Sequence, residues 1–363
     1  MKKLLPNLLL VLVTLAICGA IGELVARIAF KQQTVLFPRY HTDYRYGDYT
    51  LRGIRAKSEF WHTSSDGTWR FVTNDRGLRD SRNFAYDKTP GTLRVLSLGD
   101  SHTQGYEVRQ DATFSAVLER YLEAHSVKAQ VLNAGVSGFS TAEELAYLIS
   151  EGYKYKPDIV VVGFYANDFE DNLKAGLFGL DDKGRVVEKS HSHLPGVKIQ
   201  NVIYAVPGVR WLSENSYLYS LAFNNVWAFF KAKLEKSAKF ESAIGTASDK
   251  SKGEIDLAVA LLERMHRFCT ERGSRLIVVD IPAMPGPHRF ESSIPERMRQ
   301  QLAASNIEVI ESRALLGEYD GAAEFHVPHG HNHISELTHA MIGVRLGEKI
   351  APRAQALQAK LGR

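Results

Sequence analysis

The sequence is poor in cysteine. Only Cys18 and Cys269 occur among 363 residues, too few for a disulfide framework. Cys18 also lies in an apolar N-terminal segment, which sets it apart from Cys269. Strong charge of either sign is missing too: the net charge is +4. No basic stripe with interleaved aromatics occurs, which excludes the usual footprint of a nucleic-acid-binding protein. There is no G-x-G-x-x-G fingerprint and no P-loop, so no nucleotide cofactor is implied. What is present, 44% hydrophobic and 24% charged residues, suits one large globular domain or a domain with an appendage.

One long apolar run exists. Met1-Lys2-Lys3 is followed by "LLPNLLLVLVTLAICGAIGELVARIAF", ending at Phe30. Its central part meets the roughly 20 residues that a membrane helix needs. A cleaved signal peptide would have a shorter apolar core and an A-x-A-like site, which "ICGAIGE" matches poorly. "LAIC" has Ile17 where a lipoprotein signal has a small residue before the cysteine. The reading is an uncleaved single-pass anchor over 1–30 in an inner membrane. Lys2 and Lys3 favour the N-terminus inside, with Arg27 and Lys31 pulling the other way. The body then lies outside the cytoplasm, in a periplasm.

Residues 31–92 read as an irregular, partly β lead-in, since "FVTNDRGLRDS" carries the Asn-Asp and Gly signals of turns between short strands. From residue 93 the pattern alternates. "LRVLSLGD", "AQVLNAG" and "PDIVVVGFY" read as buried strands. "ATFSAVLERYLEAH" and "STAEELAYLISEGY" read as helices, the second capped by Ser140 or Thr141 with Glu143 or Glu144. The alternation breaks over about 170–252, which reads as an insertion. It resumes with a helix near 254–272, strands "SRLIVVDIP" and "IEVIES", and a last helix over about 336–358. Such alternation predicts an α/β fold over 93–363: a doubly wound parallel sheet flanked by helices. Ligands in such sheets bind at the carboxyl ends of the strands, where Ser101, Asn133 to Gly138 and Asn167 fall.

Ser101, in "LGDSHTQG", either caps the next helix or presents a nucleophilic hydroxyl beside N–H groups that hold an oxyanion. Gly138 in "NAGVSGFST" either makes a plain turn or frees an N–H toward a ligand. Asn167 in "GFYANDFEDN" either closes an Asx turn or donates its amide, with Asp100 and Asp168 as supporting carboxylates. "HVPHGHNHISELTHAMIG" holds His326, His329, His331, His333 and His339. One of these is the base for a serine, or His329, His331 and His333 face one way and bind a metal, or all are solvated. In the insertion, "YLYSLAFNNVWAFF" puts Tyr217, Leu221 and Trp227 or Phe229 near one helix face. That face is a lid, a membrane-surface element or packed core.

The order Ser, Gly, Asn, His, each after a strand, resembles the SGNH hydrolases, or GDSL esterases, over about Arg94 to Lys349, and in particular their membrane-anchored bacterial members. "VTNDRGLRD" is also similar to the segment leading into the fold in those members. The resemblance implies the three-layer, flavodoxin-like fold of that family and acyl chemistry without cofactor or metal. It implies Ser101 as nucleophile and Ser101, Gly138 and Asn167 as the oxyanion hole. His333, six residues before His339, matches the family's base, with His331 as the second choice. Tyr165 replaces a usual glycine, and Thr338 another. The family's acid would stand at position 330, where this chain has glycine. A Ser–His dyad, a distant carboxylate such as Asp320, Glu324 or Glu336, or lost activity would each account for that. The implied partner is an ester-bearing small molecule, glycan or lipid. The alternatives are acyl transfer to an envelope polysaccharide and a non-catalytic binding module.

Overall fold

The computed structural model describes residues 4–237, 251–330 and 332–361. Its helices include α1 (Leu4–Ala29), α2 (Phe114–Ala124), α3 (Thr141–Ser150), α4 (Tyr217–Ser237), α5 (Lys252–Glu271) and α6 (Glu336–Leu361). Five parallel strands form the main sheet: β1 (Leu93–Gly99), β2 (Ala129–Asn133), β3 (Ile159–Phe164), β4 (Arg275–Asp280) and β5 (Glu308–Ile310). Their spatial order is β5-β4-β3-β1-β2. The winding therefore reverses between β1 and β3, and a doubly wound sheet opens its ligand crevice at that reversal.

Strand periodicity divides the core in two. Leu96 and Leu98 of β1, Val160 and Val162 of β3 and Leu276 and Val278 of β4 point toward α3 and α5. Val95, Ile159, Val161, Ile277 and Val279 point to the other face, toward α2 and α6. Burying each such side chain contributes about 1.5–3 kcal/mol, so both faces must be covered, and the two helix layers cover them. Ser140 begins α3 as its cap, and its N–H donates to Glu143 at 2.8 Å.

The lead-in is two antiparallel hairpins, His41–Tyr46 with Tyr49–Ile54 and Glu59–Thr63 with Thr68–Val72. It shares the core of the sheet, since Tyr40, Tyr49, Phe60 and Phe71 pack into the same cluster as Leu96. The Asn74 side chain closes the "NDRGL" turn, accepting from the Arg76 and Leu78 N–H groups at 3.0 Å each.

The insertion starts later than the sequence pattern indicates. Asp168–Ala175 is a helix whose many charges conceal an inward face of Phe169, Asn172 and Ala175. After it come a small hairpin, Phe178–Leu180 with Val186–Glu188, the helices Val197–Ala205 and Val209–Asn215, and α4. Ser192–His193 adds a parallel strand to the lead-in sheet. Within α4, Tyr217 and Leu221 pack on Ala26 and Leu36, beside the end of α1, while Phe229 is exposed. For Tyr217 and Leu221 that contact is the packed-core alternative. Leu5–Ala29 is long and apolar enough to cross a membrane, its most apolar 18-residue stretch having a mean hydropathy of 2.5 and no buried residue.

Candidate active site

β1 ends on Gly99-Asp100-Ser101 for steric reasons. Gly99 has φ +152°, and a Cβ there would lie 2.0 Å from Thr103 Oγ1. Asp100 then caps the short helix Ser101–Gln104, its carboxylate accepting from the His102 N–H at 2.8 Å. Ser101 stands as the first residue of that turn, and its Oγ lies 2.8 Å from His333 Nε2. The other ring nitrogen of His333, Nδ1, bonds the Gly330 carbonyl. A carbonyl only accepts, so Nδ1 carries the proton and Nε2 offers its lone pair to the serine hydroxyl.

The other strand ends close on this turn. The Asn133 amide donates to the Thr103 carbonyl at 2.9 Å, and the Ser137 N–H to Gln104 Oε1 at 3.2 Å. Gly138 has φ +77°, and its carbonyl accepts from the Arg52 guanidinium. The N–H groups of Ser101 and Gly138 are committed to no hydrogen bond among the described residues. Asn167, after β3, interacts with the Asp100 carboxyl and donates to Asp171 Oδ2 at 3.1 Å. Asp168 Oδ2 accepts from the Tyr165 N–H at 3.0 Å.

Electrostatics behind the serine are unusual. Burial pushes the Asp100 carboxyl up to about 7. Asp168 and Glu144, both buried, are raised well above the carboxylate range, first by desolvation and then by neighbouring carboxylates, Asp100 for Asp168 and Asp168 for Glu144. Like-charged neighbours in low dielectric hold protons instead of ionising together.

The histidines disperse. His326 Nε2 bonds the Pro282 carbonyl at 2.9 Å. His329 Nδ1 meets Asp66 at 2.7 Å. His339 Nδ1 accepts from the Phe114 N–H at 3.1 Å, and burial takes it down to about 3. His331 lies outside the described residues. The shared metal-facing array expected of His329, His331 and His333 is not supported by the two described members. Asn332, at φ +64°, turns the chain and ends the alternation that the array needs. Among the described residues no group of three His, Cys, Asp or Glu is placed to hold a metal ion.

The sequence-nominated carboxylates are engaged elsewhere. Asp320 pairs with Arg289, Glu324 with His288 and Glu336 with Arg109. Two residues that sequence reasoning missed border the site. Buried Arg79, in the "VTNDRGLRD" segment, donates to the carbonyls of Gln104, Gly105 and Val108 and braces the turn after Ser101. Tyr106 lays its ring 4.5 Å from the His333 imidazole. The resemblance of the Arg79 segment to lead-ins of anchored relatives was its one available signal.

Residues 97–240 match the model of the GDSL-like lipase/acylhydrolase family. An arylesterase of Vibrio mimicus is 32% identical over 75 residues, 21% of this chain. The match spans 38% of the length of that relative. Among solved structures, a lipase/acylhydrolase from Enterococcus faecalis is similar over 72% of this chain and 96% of its own, at 19% identity and a TM-score of 0.41. A variant of an acetyl-xylooligosaccharide esterase of Geobacillus is similar over 70% and 92%, at 13% identity and a TM-score of 0.38. The family match begins within β1 and runs through the serine, glycine and asparagine segments, so this part of the chain is similar to the GDSL-like lipases and acylhydrolases.

Proposed function

We propose that the protein is a serine esterase, held at an inner membrane by α1 as a single-pass anchor with its body on the periplasmic side. Its substrate is an ester on a small molecule, an acylated glycan or a lipid. One observation carries this reading: Ser101 Oγ sits 2.8 Å from His333 Nε2, in a tautomer fixed by the Gly330 carbonyl. Nucleophile and base within hydrogen-bond reach, the base oriented by a third group, is the arrangement that activates a serine.

His333 Nε2 takes the Ser101 proton as Oγ adds to the ester carbonyl. The oxyanion is held by the N–H groups of Ser101 and Gly138 and by the Asn167 amide. Collapse expels the alcohol, which leaves with the proton from His333. Water then attacks the acyl-serine with His333 again as base, and the carboxylic acid departs from a regenerated Ser101. Each oxyanion donor is worth about 2.7–4 kcal/mol of barrier. Asp100 and Asp168 act from behind, fixing the turns that carry these donors. The arylesterase likeness supports an ester substrate.

The test is hydrolysis of p-nitrophenyl acetate by the full chain beside Ser101→Ala and His333→Ala. Loss of turnover in both, unaffected by chelator, is the expected result. Turnover that survives Ser101→Ala overturns the serine reading. A fluorophosphonate probe that fails to label Ser101 leaves a binding module instead.

A further inference from the structure

A backbone carbonyl orients an imidazole but carries no net charge. When His333 takes the Ser101 proton it becomes a cation, and a nearby carboxylate favours that form. The chain has glycine at position 330, and the carboxylates of Asp320, Glu324 and Glu336 are held by other partners. Glu107 is differently placed.

Glu107 follows the nucleophile turn and is buried. Its Oε1 lies 3.8 Å from His62 Nε2. Its Oε2 is buried and accepts no hydrogen bond among the described residues. Its backbone has φ +57°, a conformation that costs a residue with a Cβ about 1–2 kcal/mol. Strain of this kind persists where the surroundings dictate it, and it concentrates at functional sites. Most telling is what lies against that oxygen. A Cβ added to Gly330 would sit 2.1 Å from Glu107 Oε2. The Glu107 carboxyl, together with Val327 Cβ at 2.6 Å, thus occupies the space that a side chain at position 330 would enter, beside the residue whose carbonyl receives His333 Nδ1. The neighbouring Tyr106 ring bridges the same groups, 4.5 Å from the His333 ring and 4.4 Å from that of His62.

We propose that Glu107 is the carboxylate partner of His333, a positioning residue supplied from the turn after the nucleophile in place of an acid at position 330. The inference rests on the serine esterase reading. Burial and Asp66 raise the Glu107 carboxyl to about 7, while Ser64 and His329 pull it down. A positive charge arising on His333 draws it toward the ionised form. In its ionised form Glu107 stabilises the imidazolium, whose added proton comes from Ser101.

Three variants of the full chain test this, read by p-nitrophenyl acetate turnover against pH, by thermal melting and by NMR titration of His333. Glu107→Gln keeps the shape and removes the charge. It should lower kcat by about a hundredfold or more with KM nearly unchanged. The acid limb of kcat/KM should move to lower pH, because imidazolium loses its anion. Glu107→Ala with Gly330→Asp, made with Val327→Gly because Val327 Cβ would also meet the new Cβ, moves the carboxylate across the contact and should recover about tenfold or more over Glu107→Ala with Val327→Gly. Glu107→Gln with kcat within about threefold of the parent overturns the proposal. So does a loss that tracks the melting temperature while the acid limb stays in place, or a failure of Gly330→Asp to rescue. The serine reading is separated by making Glu107→Gln in the Ser101→Ala background. The His333 pKa should still fall there, and an unmoved titration overturns the Glu107 inference whatever the activity data say.

Discussion

Replacing Gly138 by alanine tests the proposed oxyanion hole at its backbone. The native φ of +77° lies where a Cβ costs about 1–2 kcal/mol. The new methyl would also stand 2.4 Å from Arg52 Nη2, whose guanidinium bonds the Gly138 carbonyl. A contact that short forces either the arginine to withdraw or the peptide to rotate. Withdrawal removes a hydrogen bond of a charged donor, about 1.5–3 kcal/mol of stability. Rotation swings the 138 N–H away from the oxyanion, about 2.7–4 kcal/mol of barrier, or about 10²–10³ in kcat. The assay is p-nitrophenyl acetate turnover with urea denaturation, for Gly138→Ala and for Gly138→Ala with Arg52→Ala. The double variant removes the collision but not the φ strain. We expect it to regain part of the stability while kcat stays low. Gly138→Ala with kcat within about threefold of the parent would refute a catalytic role for that N–H.

Three further outcomes follow from the same geometry. Asp100, at about 7 when folded against 3.8 ordinarily, binds its proton more tightly in the native state, so its contribution to stability is full below pH 3.8 and declines up to about pH 7. Asp100→Asn keeps an acceptor for the His102 N–H and should flatten that decline in denaturation midpoints taken from pH 4 to pH 7; parallel curves would contradict the raised carboxyl. Arg79→Lys replaces a fork by a point charge that cannot stand at both Nη1 and Nη2, and strands at least one of three buried carbonyls at about 1–3 kcal/mol. A stability change below about 1 kcal/mol would show that Arg79 does not brace the turn. Leu96→Ala, fully buried between the sheet and its helices, should cost about 2–5 kcal/mol by calorimetry, and a cost below about 1 kcal/mol would deny the core its assigned place.

The sheet was legible because its signal is local. Runs such as "IVVVGF" state strand and double-sided burial within six residues, and the helices between them state one apolar face each. The strand-end positions of Ser101, Gly138 and Asn167 follow from that alternation alone. What sequence could not convey is contact at long separation. Arg52 reaches Gly138 across 86 positions and Arg79 reaches Val108 across 29, with no periodicity to announce either. The histidines misled for a related reason: alternate spacing implies one face only in extended chain, and Asn332 is not extended. Glu107 was invisible because its link to Gly330 is a volume that only one of them can fill.

The foot of α1 deserves a mechanical reading. Glu23 accepts from the Ser216 hydroxyl at 2.7 Å and from the N–H groups of Tyr217 and Leu218 at 3.0 Å each, while Arg27 donates to the Asn215 carbonyl at 2.6 Å. A carboxylate from the apolar helix is thus the cap that begins α4. In a bilayer such a joint would act as a bracket, not as a tether. The body would stand at one height and one tilt, and the mouth beside Ser101 would sweep a thin shell parallel to the membrane. An ester carried at that height would be met again and again by lateral diffusion, and one held farther out would stay beyond reach whatever its chemistry.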